Sequence, residues 1–493
     1  MQRTTKLDAD GIDLTGEVVH ELPRRDRDAD ARGESGPAEL SGRLAGLSLH
    51  RQVLVLSVWP LLEQLMNFLV GTVDLVMAGH LGAEALAVSA TDALGVSGYV
   101  GWLMTMIHSG AGVGASALIA RAMGARRQGL ANAALGQAVL LALCSGAVVC
   151  LSVYGLAQGI GRLAGVSGLG LELCTIYLRI VALAAPASAV LLVANACLRG
   201  AGDTRWPFTV MVLVNVINIV LSVLFVFGPA PLGGHGVAGI AAGTACAWTI
   251  GALVLLVVLA RGNGALRLRW ARLRPHLHTA RRIVRVAVPN LFESAGALWL
   301  GHFLVLMIVG RLAQEAVLGA HMIVLRIEAI SFLPGAAMGV AAATLAGQYL
   351  GLGDPHRARR AVFICWAWSA AIMGVLGLVF VAIPHVLVRL ITDAGALTAL
   401  APTPLRICGP FQVFLATHMV LAAAQRGAGD TRAVFWTTAI TTFAVRVPVV
   451  YFIAIVLDLG LNGVWYGICV DMTVRGIVFW VSFSRGRWAR VRV

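Results

Sequence analysis

Arg199-Gly-Ala-Gly-Asp-Thr-Arg205 returns letter for letter as Arg426-Gly-Ala-Gly-Asp-Thr-Arg432, 227 positions further along the chain. Each copy closes one long apolar segment and opens the next. A repeat of this kind means one structural unit written twice, and an internal repeat changes the reading of everything around it. Other stretches pair in the same way. Gly79-His-Leu-Gly82 answers Gly310-Arg-Leu-Ala313, and Pro60-Leu-Leu-Glu63 resembles Pro289-Asn-Leu-Phe-Glu293. Leu118 to Ala134 matches Leu345 to Ala361 at the 227-residue offset, through Leu118/Leu345, Gly124/Gly351, Ala131/Ala358 and Ala134/Ala361.

The composition says what the duplicated unit is. Of 493 residues, 58% are hydrophobic and 13% charged, with mean hydropathy +0.83. Soluble domains carry about 25% charged residues. Apolar runs of roughly 20 residues, enough to cross a hydrocarbon core of about 30 Å, recur along most of the length. The chain reads as an all-α polytopic membrane protein with twelve transmembrane helices. The first six fall near 53–78, 92–118, 131–156, 173–198, 206–228 and 236–260. The second six fall near 286–309, 320–348, 360–384, 402–425, 433–457 and 462–484.

The expected organisation is a disordered cytoplasmic tail over 1–50, an amino-terminal lobe over 51–262 and an Arg-rich linker over 263–285. A carboxy-terminal lobe over 286–485 and a basic tail over 486–493 follow. Residues 1–50 are polar and lack the apolar stretch of a signal peptide.

The net charge of +14 would point to nucleic acid in a soluble protein. Here the arginines sit in short loops, after the second, fourth, sixth, eighth and tenth spans and in the tail, as at Arg126, Arg127, Arg267, Arg357 and Arg490. Loops after odd spans hold few, such as Arg162, Arg311 and Arg389. The positive-inside rule then puts both termini in the cytoplasm. No nucleic-acid partner is expected. Both copies of the repeated heptapeptide lie on the cytoplasmic side, so the lobes are parallel repeats about an axis along the membrane normal.

Within the heptapeptide, Gly200 and Gly202 can take the positive φ that ends a helix, and Asp203 or Thr204 can cap the next one. Arg199 and Arg205 are placed to reach water and lipid headgroups. Capping accounts for every residue, so a connector is expected rather than a substrate site.

Ionisable groups inside spans are costly and are functional candidates by default. Glu63, Asn67 and Asp74 lie at offsets that place them within about 40° on one face of the first helix, with Glu63 and Asp74 about 16 Å apart along the axis. Such a stripe lines an aqueous or cation-accepting cavity, or else makes interhelical hydrogen bonds in protonated form. Asn215, Asn218 and Ser222 share a face of the fifth helix, and either assist an ion site or bond between helices. In the second half, Asn290 and Glu293 share a face, Glu328 lies in the eighth helix near His321 and Ser331, and His418 lies in the tenth. Asp471 and Arg475 are four apart, the spacing of an intrahelical ion pair. His108 and His302 read as packing groups. Asp74 aligns with Val305, so this acid is not duplicated.

The eight cysteines are scattered without a Cys-x-x-Cys pair, so neither disulfides nor a metal site are expected. No phosphate-binding loop, H-E-x-x-H or G-x-S-x-G occurs. An energised process would draw on an ion gradient, with no catalytic residues and no cofactor beyond H⁺ or Na⁺.

Val73-Asp-Leu-Val-Met-Ala-Gly79, Gly319-Ala-His321, Leu345-Ala-Gly-Gln-Tyr-Leu-Gly351 and the twin heptapeptide together resemble the multidrug and toxic compound extrusion (MATE) family, over roughly residues 50–485. The resemblance implies two six-helix lobes around a V-shaped cleft, alternating access, and export of amphipathic, often cationic, small molecules in exchange for H⁺ or Na⁺. It maps the family's amino-lobe acid onto Asp74 and its fifth-helix partners onto Asn218 and Ser222, the latter departing from the usual Asn or Asp. After Phe411-Gln412 the sodium-coupled branch would carry an acid where this chain has Leu415, and Glu293 lies nearer the helix start than in that branch. Coupling through the amino lobe, by H⁺ ahead of Na⁺, is therefore expected. So are an inner or plasma membrane location and a monomer. A lipid-linked oligosaccharide flippase of the same superfamily is the alternative, and an intramembrane enzyme lacks any nucleophile or metal constellation.

Overall fold

The structure, a computed structural model, describes residues 40, 44–79, 84–229, 231–262, 266–269, 273–312, 316–392 and 395–491, without the side chains of 67–76, 78–79, 84–88 and 92. Among the described residues it is helical, with no strand. The amino lobe comprises α1 (Leu49–Gly79), α2 (Glu84–Gly124), α3 (Gln128–Leu163), α4 (Gly168–Leu183 continued by Ala185–Gly200), α5 (Arg205–Phe227) and α6 (Gly236–Arg261). The carboxy lobe comprises α7 (Leu277–Gly310), α8 (Val317–Gly351), α9 (Pro355–Ala382), α10 (Gly395–Gly427), α11 (Thr431–Val456) and α12 (Gly460–Ser484).

These are the twelve spans expected from the sequence. Their outer faces are apolar, as at Leu151, Leu183 and Leu378, which are 76%, 65% and 69% exposed. A soluble protein could not present that much contiguous apolar surface to water. The chain is a multi-pass membrane protein.

Sequence chemistry explains the irregular helices. α4 bends by 55° between its two segments, and Pro186 stands two residues into the second, where its ring removes a backbone donor. α7 begins at Leu277, so 277–285, expected within the linker, forms its first turns. Thr279, Ile283 and Val286 recur at helical spacing and are buried, which favours helix over coil there. The preceding linker is held to α3: Asn132 Oδ1 accepts the Arg267 N–H at 2.9 Å, and Gln137 Oε1 accepts the His276 N–H at 2.9 Å.

The lobes meet at the ends of α2 and α8 that carry the Arg-rich loops. A Cβ on Gly124 would collide with the Gln348 carbonyl oxygen, and one on Gly351 with that of Arg121. Glycine is needed at both positions because backbone meets backbone where the two helices cross. Each lobe also lends its first helix to the other. Val53 and Leu56 of α1 are buried in the carboxy-lobe core with Leu345, Tyr349 and Phe479. Ile283 of α7 is buried in the amino-lobe core with Ala115 and Leu118. Away from this crossing the lobes enclose a cleft.

Candidate functional site

The repeated heptapeptide sits at the floor of that cleft, and its two halves do different work. The glycine and aspartate end behaves as the sequence implies. Gly202 and Gly429 have φ of +89° and +91°. Asp203 Oδ1 accepts the Arg205 N–H at 3.2 Å, and Asp430 Oδ1 accepts the Ala433 N–H at 3.4 Å. Gly200, expected to share the positive φ, instead ends its helix in ordinary geometry. Its role is close approach: a Cβ there would lie 2.7 Å from the Ser116 carbonyl oxygen, and one on Gly427 would strike that of Ala343. Ser116 and Ala343 are themselves repeat equivalents.

The leading arginines correct the sequence reading. Arg199 does not reach for headgroups; its Nη1 donates to both oxygens of Glu63, at 2.9 and 3.0 Å. Arg426 Nη1 donates to Glu293 Oε1 at 2.7 Å, and Thr438 Oγ1 donates to the same oxygen at 3.3 Å. Each lobe thus carries one ion pair between its first helix and the end of its fourth. The arginines are 21% and 24% exposed at the side chain, whereas Glu293 is sealed and its Oε2 has no hydrogen-bond partner among the described residues. The signal was present in the sequence, since both the Glu and the Arg recur in the two halves. Joining them requires knowing which helices touch.

Above these pairs lies a cavity of about 550 Å³, lined from both lobes and including Arg199, Arg426, Glu293, Trp102, His302 and His418. A second chamber of about 450 Å³ includes Glu328, His321 and Tyr99. Trp102, His302, Phe332, Leu415, Arg446 and Met472 line both. Both volumes fall within the range of small-molecule sites, about 300–1,000 Å³.

Two further features were not anticipated. His302, expected as a packing group, faces the cleft, its ring edge-on to Trp102 of the other lobe at 6.1 Å between centroids. Asp471 is shared: besides Arg475 Nη2 at 3.0 Å on Oδ1, it accepts Arg446 Nε at 2.9 Å on Oδ2. Arg475 also donates to Thr442 at 2.8 Å. Glu293 and Arg446 both belong to π-helical turns, Phe292–Trp299 and Thr441–Arg446. Such bulges re-aim side chains and cluster at functional sites.

The remaining candidates are dispersed. Glu328 lies in the second chamber with Oε1 buried and without a hydrogen-bond partner among the described residues, while Ser331 nearby donates to Gln412 at 2.8 Å. Asn290 is buried on α7 outside the cavity lining. On α5, Asn218 Nδ2 donates to Thr244 of α6 at 2.9 Å. Asn215 Nδ2, Asn218 Oδ1 and Ser222 Oγ are buried and find no partner among the described residues. The side chains of Asn67 and Asp74 lie outside the described residues. Among the described residues no cluster of His, Cys, Asp and Glu could hold a metal ion.

The duplicated architecture has a counterpart among known proteins. A family model described as MatE matches the chain twice, over residues 61–224 and 289–452. The chain belongs to the MatE family. The two MatE matches fall one in each lobe, in step with the repeat. The probable multidrug resistance protein NorM of Thermotoga maritima is 28% identical over 446 residues, covering 90% of this chain and 94% of that one. The multidrug resistance protein PmpM of Pseudomonas aeruginosa is 25% identical over 453 residues, covering 88% and 91%. Among solved structures, an outward-facing conformation of a multidrug resistance MATE family transporter superposes with TM-score 0.83 at 22% identity, covering 91% of this chain and 97% of that one. A crystal structure of MATE in complex with MaL6 gives 0.82 at 22% identity, covering 90% and 97%. At such identity these structures speak for the MatE fold, and the family and its relatives make this chain a membrane transporter of small molecules.

Proposed function

We propose that this transporter exports amphipathic, cationic drugs or metabolites across the plasma membrane, by alternating access and in exchange for an ion, H⁺ ahead of Na⁺. The observation that carries the reading is the cavity of about 550 Å³ between the lobes, bounded on the Arg-rich side by the backbone-close crossing of α2 and α8. A compartment shut at one end by a contact between two repeated units is what alternating access requires. Both termini lie on the cytoplasmic side in this reading, so the crossing is the inner gate, and the protein works as a monomer.

In the proposed cycle Asp74 takes a proton from outside while the cleft faces out. Neutralising it weakens binding of a cationic substrate and permits reorientation. Asn218 and Ser222 supply neutral polar atoms in the same lobe, and Glu63 is held in its ion pair with Arg199. The flippase alternative needs several uncommitted cations for a pyrophosphate. Arg199, Arg426 and Arg475 each already hold a carboxylate, which favours the export reading.

Ethidium efflux from vesicles given separate H⁺ and Na⁺ gradients tests the proposal. A proton gradient alone should drive efflux, and Asp74→Asn should abolish drug-dependent proton uptake. Efflux driven by Na⁺ alone reverses the ion assignment; uptake undiminished in Asp74→Asn removes Asp74 from the cycle.

A further inference from the structure

The residues just before α1 are built into the crossing of α2 and α8. Leu40 and Leu44 are 4% and 2% exposed, although neither belongs to a span. Both join the carboxy-lobe core beside Leu345, Tyr349 and Trp488. Gln52, in the first turn of α1, fixes the segment there. Its Nε2 donates to the Leu44 and Leu47 carbonyls at 3.2 and 3.0 Å, and its Oε1 accepts the Tyr349 hydroxyl of α8 at 2.7 Å. Gln52 is itself buried, so an amide turned away from these partners would go unsatisfied.

The same leucine also meets the other lobe. Gly202, at the corner of the amino-lobe heptapeptide, faces it: a Cβ there would stand 3.4 Å from Leu44 Cδ1 and 3.1 Å from Gln348 Nε2. Gln348 helps to close the crossing through its bond to the Gly200 carbonyl. Leu44 is seated alongside, carried by the carboxy lobe and covering a corner of the amino lobe. Parting α2 from α8 would draw Leu44 off Gly202 while Gln52 kept it on α8. The leucine would then give up apolar contact to water, which favours the closed crossing. Connectivity does not impose this arrangement. Leu266 of the linker is likewise buried in the opposite lobe, yet the linker has to join α6 to α7, whereas Leu40 and Leu44 precede every described span.

We propose that Leu44 is a latch on the inner gate. Seated against Gly202 it holds the crossing shut, and unseated it lets α2 and α8 part towards the cytoplasm. Leu44 does not line the cavity, so the latch sets the balance between the two arrangements without touching the substrate. Opening of the gate is thereby tied to a stretch of chain outside the membrane spans.

The inference rests on reading the crossing as the inner gate, and the test separates the two. Ala117→Cys, in the cavity lining, is placed in the full-length chain without the native cysteines and labelled by a membrane-impermeant thiol reagent in inside-out vesicles. Leu44→Ala should speed labelling by about fivefold, and Leu44→Met, which keeps the bulk, should stay within about twofold of the parent. Gln52→Ala frees the segment and leaves Leu44 intact; it should act as Leu44→Ala does, and replaces that variant if it does not fold. Gly124→Ala, whose Cβ would strike the Gln348 carbonyl, forces the crossing apart and tests the gate by itself. Thr344→Val takes its place if it does not fold. Faster labelling in the gate variant with none in Leu44→Ala or Gln52→Ala overturns the latch and leaves the gate. Equal acceleration by Leu44→Met and Leu44→Ala also overturns the latch. No acceleration in any variant overturns the gate reading and this inference together.

Discussion

Thr344 Oγ1 donates a hydrogen bond to the carbonyl oxygen of Arg199 at 2.9 Å, joining α8 of one lobe to the repeated heptapeptide of the other. Beside it Gln348 Nε2 donates to the Gly200 carbonyl at 3.1 Å, and Arg121 Nη2 returns the contact to the Ala428 carbonyl at 2.8 Å. The same Arg199 whose backbone ties the lobes together sends its side chain to Glu63 at the cavity floor. Gate and floor therefore share a residue.

Removing the Thr344 donor should loosen the gate. Thr344→Val costs one hydrogen bond in the closed arrangement, about 1 kcal/mol, or roughly a fivefold shift in the open population. Ala117→Cys, placed in the cavity lining, reports it through labelling by a membrane-impermeant thiol reagent in inside-out vesicles. Labelling should accelerate by about that factor in a background without the native cysteines. An unchanged rate would mean that this bond does not hold the gate.

The two floor ion pairs should show the asymmetry expected of charges held away from water. Arg426→Gln leaves Glu293 sealed without its cation, at a cost of about 3–5 kcal/mol, whereas adding Glu293→Gln should recover most of the loss. Thermal unfolding of the purified protein in detergent measures both. A double variant no more stable than Arg426→Gln would contradict the pairing.

The linker should come loose when its anchor on α3 is removed. Gln137 accepts the His276 N–H and donates to the Arg274 carbonyl at 2.8 Å. In Gln137→Leu, losing both bonds should speed hydrogen–deuterium exchange of the His276 amide by about tenfold, since two hydrogen bonds contribute about 1–3 kcal/mol. Exchange at the wild-type rate would show that other contacts hold this segment.

Trp102 should matter to aromatic substrates as a group. It lines both chambers and meets His302 across the cleft. Trp102→Ala should weaken ethidium binding by about tenfold, because loss of an aromatic partner forfeits its stacking and its buried area. The measurement is a fluorescence titration, and an affinity within twofold of wild type would place the dye elsewhere.

Much of the fold was legible without coordinates. Twelve apolar segments and the duplication follow from hydropathy and from one repeated heptapeptide, because span length is a local property set by bilayer thickness. Gly124 and Gly351 pair by their 227-residue offset in the sequence alone. The site was less legible. Glu63, Glu293, Glu328 and His418 stand out as intramembrane polar residues, but His302 reads as packing, Asp471 as the partner of Arg475 alone, and Arg199 as a surface group.

The division has a physical cause. In water, an apolar stripe on a helix shows which face turns inward. In a bilayer both faces are apolar, so sequence periodicity leaves the rotation of each helix open. The amino-acid sequence by itself determined that this is a twofold-repeated membrane transporter of the MatE family. Only the packing of the helices decided that Arg199 meets Glu63, that Arg426 meets Glu293, and that Arg446 shares Asp471 with Arg475.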